Sequence, residues 1–188
     1  MSKINTLEEA YVEQLRDLYS AENQLIKGLP KMAKAAHNPE LKAGFEEHLE
    51  QTKGHASRLE EIFGELDEKP TGKKCQAMAG LVEEGSETIG EDAAPAVKDA
   101  MLIAAAQRVE HYEMAGYGTV KAFAQVLGHE EHVKLLEETL EEEAQADEKL
   151  TELSQSVNEE ANQGESEEKE GEEPSNGSHQ AATVSRRK

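Results

Sequence analysis

The 188 residues suffice for one well-buried domain, and a composition with 4% aromatics and no Trp favours long helices over a sheet. Forty acidic against twenty basic residues give a formal charge of −20, which repels nucleic-acid phosphates and anionic membrane surfaces and argues against both as partners. Cys75 is the only cysteine, the opening residues lack a secretory layout, and no apolar run approaches the roughly 20 residues of a membrane span, so the expectation is a soluble, cytoplasmic protein.

A first long helix is expected from Asn5 to Ala36. Leu7, Tyr11, Leu15, Leu18, Glu22, Leu25 and Leu29 recur there at three- and four-residue steps, the period of one helix face. Pro30 lacks an N–H and crowds the preceding turn, so a kink or break is expected near Gly28-Leu29-Pro30. Asn38 as N-cap and Pro39 at the first helical position open a second helix, with Leu41, Phe45, His48, Thr52, His55 and Leu59 on one face. Lys69-Pro70-Thr71-Gly72 ends it, and the stretch from Lys73 to Ile89 reads as a short amphipathic crossover helix closed by Gly90.

Pro95 marks the start of a third long helix, which runs through Leu102, Val109, Tyr112 and Val120 to Leu127 before Gly128 stops it. A fourth begins near His129 and continues through Leu136, Thr139, Glu143 and Leu150 until its pattern fades around Val157. Two short links and one long one are the connectivity of an all-α, ferritin-like four-helix bundle. Its long crossover, between the second and third long helices, contains the short fifth helix, and those two long helices must run parallel.

Residues 1–157 are thus read as the bundle. From 158 to 188 the chain turns to Glu, Ser, Gly, Asn and Gln, with eight acidic and four basic residues and few apolar ones, and a disordered acidic tail is expected. Its basic end, Arg186-Arg187-Lys188, is read as a solvated terminus.

Carboxylates and imidazoles projecting inward from facing helices are how such bundles hold divalent metals. Glu22 lies three residues after Tyr19 and four before Ile26, inside the apolar stripe, where a charge is costly unless paired or metal-bound. On the third long helix Glu110 and Glu113 are one turn apart, with Glu113 in the inward row and Glu110 nearer the edge. On the fourth, Glu143 and Asp147 repeat the idea, with Glu142 as a competitor and small Ala146 leaving room for an ion.

The second helix lacks a Glu-x-x-His pair. His48 is its best ligand on geometry, Glu50 points away and Gln51 is borderline, so its contribution stays open among His48, Glu50 and His55. Any one Glu on so charged a rod is ordinarily solvated; Glu22, Glu113 and Glu143 together are harder to explain that way. Tyr19, Tyr112 and Cys75 are read as core groups rather than reactive ones.

The stretches DLYSAENQLIKGLPKMAKAA, HLEQTKGH, KKCQAMAGLVEEG, LIAAAQRVEHYEMAGYGTVKAFAQVLG and LLEETLEEEAQADEKL resemble the YciF/YciE family of ferritin-like bacterial stress-response proteins. The resemblance covers about residues 4–155, with the segment from Leu102 to Gly128 the most specific. It implies a rubrerythrin-like centre of two transition-metal ions, iron ahead of manganese, carried onto Glu22, Glu110, Glu113, Glu143 and Asp147. Ferritins, rubrerythrins and manganese catalases share the superfamily, so ferroxidase, peroxidase and catalase-like activities all stay open.

A lone cysteine supplies no four-cysteine iron site, so a peroxidase cycle would need an external reductant. The expected partners are metal ions, peroxide or that reductant, and a second copy of the chain in a homodimer. The rival expectation is a non-catalytic structural or protective protein whose inward carboxylates hold no functional metal.

Overall fold

The computed structural model describes residues 4–170, which form five helices: α1 Leu7–Ala35, α2 Pro39–Glu65, α3 Gln76–Gly90, α4 Pro95–Leu127 and α5 Glu130–Glu170. Local chemistry sets most of these boundaries. Thr6 Oγ1 accepts from the Glu9 N–H at 3.1 Å while Glu9 Oε2 accepts from the Thr6 N–H at 3.1 Å, a capping box at the start of α1. The Asn38 side chain accepts from the N–H groups of Glu40 and Leu41, with Pro39 in the first turn of α2. Gly128, at φ 80°, closes α4; its N–H reaches the Gln125 carbonyl and that of His129 reaches Ala124, a Schellman closure that lets α5 begin two residues later.

Two expectations change. Helix α1 is continuous through Pro30, because the exposed proline turns its ring to solvent while buried Leu25, Leu29 and Ala33 pin both halves of the helix to the core. Helix α5 likewise runs past Val157 to Glu170, so the segment expected to be a disordered tail opens as helix. Extending an existing helix needs no new nucleus, and Glu159, Glu160, Ala161 and Gln163 are good helix formers, so the backbone propagates without an apolar face. The rest of that tail, with its basic end, lies outside the described residues.

Cross-helix pairs fix the directions. Arg16–Glu68 and Tyr19–Glu60 set α1 antiparallel to α2, while Glu47–Lys149, Arg58–Glu138 and Glu65–His132 set α2 antiparallel to α5. Asp99 accepts from the N–H groups of His37 and Asn38 at one end of α4, and Tyr117 reaches Glu22 farther along, so α4 is antiparallel to α1 and parallel to α2. That is the expected long-crossover topology, and α3 packs on α1 and α4 as the crossover.

The interior has three layers. One apolar cluster holds Leu25, Leu29, Leu41, Phe45, Met78 and Leu102, and the other holds Tyr11, Leu15, Leu59, Ile62, Phe63 and Leu136. Between them lies a polar layer contributed by all four long helices.

Candidate metal centre

Each long helix supplies this layer by its own phase. Glu22 on α1 sits between Leu18 and Leu25 and has no solvent exposure. On α2, His48 and His55 are seven residues apart, two turns along one face, with Thr52 between them donating its hydroxyl to the His48 carbonyl at 2.7 Å. Glu110 and Glu113 are one turn apart on α4, and Glu143 lies one turn after Thr139 on α5; all four are buried.

The side chains form two groups that share a carboxylate. His48, Glu110, Glu113 and Glu143 make one, and Glu22, His55 and Glu143 the other, with one ligand atom from each member within 4.8 Å of those of its group. His48 Nε2 lies 3.4 Å from Glu110 Oε2 and 3.6 Å from Glu143 Oε2, while His55 Nδ1 lies 3.0 Å from Glu143 Oε1 and 3.7 Å from Glu22 Oε2. Among the described residues, eight buried side-chain oxygen and nitrogen atoms lack a hydrogen-bond partner in the protein, and all eight belong to these six residues. Such atoms each carry a desolvation cost that a cation would remove.

Electrostatics point the same way. Burial, followed by the charges of neighbouring carboxylates, pushes Glu110 and Glu113 well above the usual carboxylate range, and burial also raises Glu22. Burial acts to raise Glu143 too, but the His55 ring and the charge of His48 outweigh it and hold that carboxyl low. Burial lowers His48 and so favours the neutral imidazole. Burial acts to lower His55 as well, yet Glu143 and Glu22 outweigh it and push the ring up to about 10. The metal-free cluster therefore keeps protons that a cation would displace.

A surrounding set of groups orients both rings. His48 Nδ1 lies 3.3 Å from Gln51 Oε1, an acceptor, so that nitrogen donates and Nε2 turns its lone pair to the carboxylates. His55 Nε2 donates to Glu142 Oε2 at 2.9 Å, and Arg58 clasps the same carboxylate at 2.6 and 3.2 Å, which leaves His55 Nδ1 facing the centre. Arg58 and the His55 ring together depress Glu142 despite its partial burial. Buried Tyr117, its ring edge to face with that of His55, donates to Glu22 Oε1.

The structure thus brings Glu22, His48, Glu110, Glu113 and Glu143 together. Glu110 is as deeply buried as Glu113 rather than near the edge, because α5 closes that flank with Glu143. Asp147 belongs to neither group. It accepts from Gln107 at 3.1 Å and contacts His111 at 3.3 Å, a partly exposed position on the seam between α4 and α5. Glu50 is exposed and paired with Lys53, while His55, which the helix phase had left open, faces the centre.

Sequence reasoning missed Tyr117 and Arg58. Tyr117 carried a signal, one turn after Glu113 on the same face; Arg58 carried none, because its partners are eighty or more residues away. Tyr112 and Cys75 stand apart as a separate, partly buried contact, Sγ to hydroxyl at 2.9 Å, with the tyrosine donating to Asp17.

Four carboxylates and two oriented imidazoles suit a divalent first-row transition metal, carboxylate oxygens being hard donors and imidazole the common nitrogen donor. The arrangement departs from a paired Glu-x-x-His pattern: α2 offers Thr52 and His55 at that spacing, and α5 offers Glu143 and Ala146. Each helix keeps half of the pair. The six ligand groups can nonetheless hold a metal between them.

Comparison with known proteins agrees with this architecture. Protein YciF of Escherichia coli (strain K12) is 46% identical over 152 residues, spanning 80% of this chain and 92% of that protein. The crystal structure of the E. coli stress protein YciF superposes with a TM-score of 0.80 at 45% identity, covering 82% of this chain and 98% of that one. YcfI from Rhodopseudomonas palustris gives 0.77 at 46% identity, covering 79% and 95%. A protein from Xanthomonas campestris pv. campestris shares the fold at 22% identity, with a TM-score of 0.66 and coverage of 81% and 93%. A domain of unknown function, DUF892, matches residues 6–162, and with it the chain belongs to the family that includes YciF.

Proposed function

We propose that the bundle holds two transition-metal ions, iron in preference to manganese, with Glu143 common to the two ligand groups that would hold them, and that the protein handles iron or peroxide during stress. The observation that carries this reading is the pair of ligand groups sharing Glu143, with eight unpartnered buried atoms confined to them. His48, Glu110 and Glu113 would hold one ion and Glu22 and His55 the other. Such a pair, when bound, supplies one-electron steps at carboxylate-supported metal.

The chain's own residues bind and orient. Gln51 and Glu142 set the two imidazoles, and Tyr117 carries an O–H that donates to Glu22 and stays protonated in the metal-free bundle because burial and then the Glu22 and Glu113 charges raise it far above its ordinary value. The E. coli relative is described as a stress protein, which supports the same setting here. We propose a cytoplasmic location and a homodimer as the assembled form.

Elemental analysis of protein purified without chelator, paired with assays of Fe(II) oxidation and peroxide consumption, tests this reading. Two metal ions per chain with turnover of either substrate is the expected result. Absence of bound metal overturns the dimetal reading. Full metal content without turnover favours a structural role instead.

A further inference from the structure

Among the described residues, cavities on two sides of the bundle reach the centre, and they differ in chemistry. One lies beneath α3, measures about 40 Å³, and is walled by Leu25, Met32, Leu81, Val82, Ala106 and Val109 before it meets His48 and Glu110. An ion entering there would lose its hydration shell against apolar walls. The other is a cleft of about 490 Å³ between α2 and α5, with Glu40, Glu47 and Glu152 around it and the same His48 and Glu110 at its floor.

From the cleft we infer an entry route: the α2–α5 opening admits a hydrated divalent cation, which Glu47 and its acidic neighbours collect and His48 and Glu110 receive. This inference rests on the dimetal reading. Three features support it. His48 Nε2 and Glu110 Oε2 are buried and without hydrogen-bond partners, so the floor offers donors. Gly44, one turn before His48, has nothing within 4 Å of where a Cβ would stand, and Ala146 on α5 lies where the second half of a Glu-x-x-His pair would fill the gap. The cleft's one lysine among the described residues, Lys149, is tied to Glu47 at 3.0 Å across the opening, a half-exposed pair that water and ions can loosen.

Stopped-flow uptake of Co(II), followed by its absorbance in the full chain, tests the route. Gly44→Leu places bulk in the open space of the cleft and should slow uptake tenfold or more at unchanged final stoichiometry. Gly44→Ala, which shares the gain in helix propensity without the bulk, should load at the wild-type rate. Ala106→Val, which fills part of the apolar cavity, should also load normally, and raising salt should slow wild-type uptake by screening the acidic mouth. Wild-type rates for Gly44→Leu overturn the route, as does a reduced end point, which would make the residue part of the site. Failure of wild type to take up Co(II) at equilibrium removes the dimetal reading itself, and the route with it.

Discussion

Among the described residues, two clusters of histidine and glutamate can be compared, and they differ in what is left unsatisfied. At the end where α1, α2 and α5 meet, His132 contacts the Tyr11 hydroxyl at 3.2 Å and Glu65 at 3.1 Å, His129 pairs with Glu8 at 3.3 Å, and the two rings stack 4.7 Å apart. The buried atoms there are partnered, and the carboxylates reach solvent, with Glu65 at 50% side-chain exposure. In the central layer the same residue types leave eight buried atoms without hydrogen-bond partners and two carboxyls held far above their usual range. Residue type therefore does not distinguish a satisfied cluster from a candidate ligand set; the account of unpartnered atoms does.

The largest expected effect separates these clusters by metal. Saturation at a hundredfold excess over Kd should stabilise wild type by about 2.7 kcal/mol for each ion bound, seen as a rise in Tm with Fe(II) or Mn(II) and a fall with chelator. Glu113→Ala should abolish most of that rise, and its metal-free form should be at least as stable as metal-free wild type, since a buried unpaired carboxyl has gone. Glu50→Ala, on the exposed face, should keep the full response. The reverse pattern would break the comparison.

At the bundle end, His132→Ala should cost about 2 kcal/mol in denaturant unfolding, because it opens a cavity and leaves the buried Tyr11 hydroxyl unpartnered. Metal content should not change. Loss of metal on this substitution would mean that the two clusters act as one.

The pH dependence should have opposite signs in the two places. Glu110 and Glu113 hold protons more tightly folded than unfolded, so their contribution is complete below the ordinary carboxylate range and is lost as pH rises through the raised values; His55 adds to this loss toward about 10. Glu143 opposes them on the acid side, since its carboxyl is held low. His132, lowered by burial, contributes stability that is present above its unfolded pKa and lost as pH falls. Metal-free protein should therefore lose Tm as pH rises above neutrality, whereas His132→Ala should blunt the loss below about pH 6.5. A Tm that climbs steadily with alkaline pH in the absence of metal would contradict the protonated centre.

A smaller effect is expected around His55. Arg58→Ala frees Glu142 and loosens the ring, which should weaken metal affinity by about tenfold at unchanged stoichiometry, measured by competition with a chelator. Smallest of all, truncation after residue 163 should leave helical content and Tm nearly unchanged, and truncation after Val157 should cost under about 0.5 kcal/mol, since 158–163 are almost wholly exposed.

Signals confined to a few neighbouring residues were legible in the chain. Asn38-Pro39, Pro95 and Gly128 fixed helix ends because capping and φ preferences act locally, and the lengths of the links between helices dictated the bundle topology. The three- and four-residue period also turned Glu22, Glu113 and Glu143 inward, since a helix phase needs no knowledge of its neighbours.

Tertiary structure decided the rest. His48 and His55 lie on one face, and only the opposing Glu110 and Glu143 for one, and Glu22, Glu142 and Arg58 for the other, assign them to different groups. Asp147 had a plausible spacing, but Gln107 and His111 on α4 hold it at the seam. A candidate ligand set assembled from four helices is defined by distances across the bundle, and the period along any one helix does not contain them.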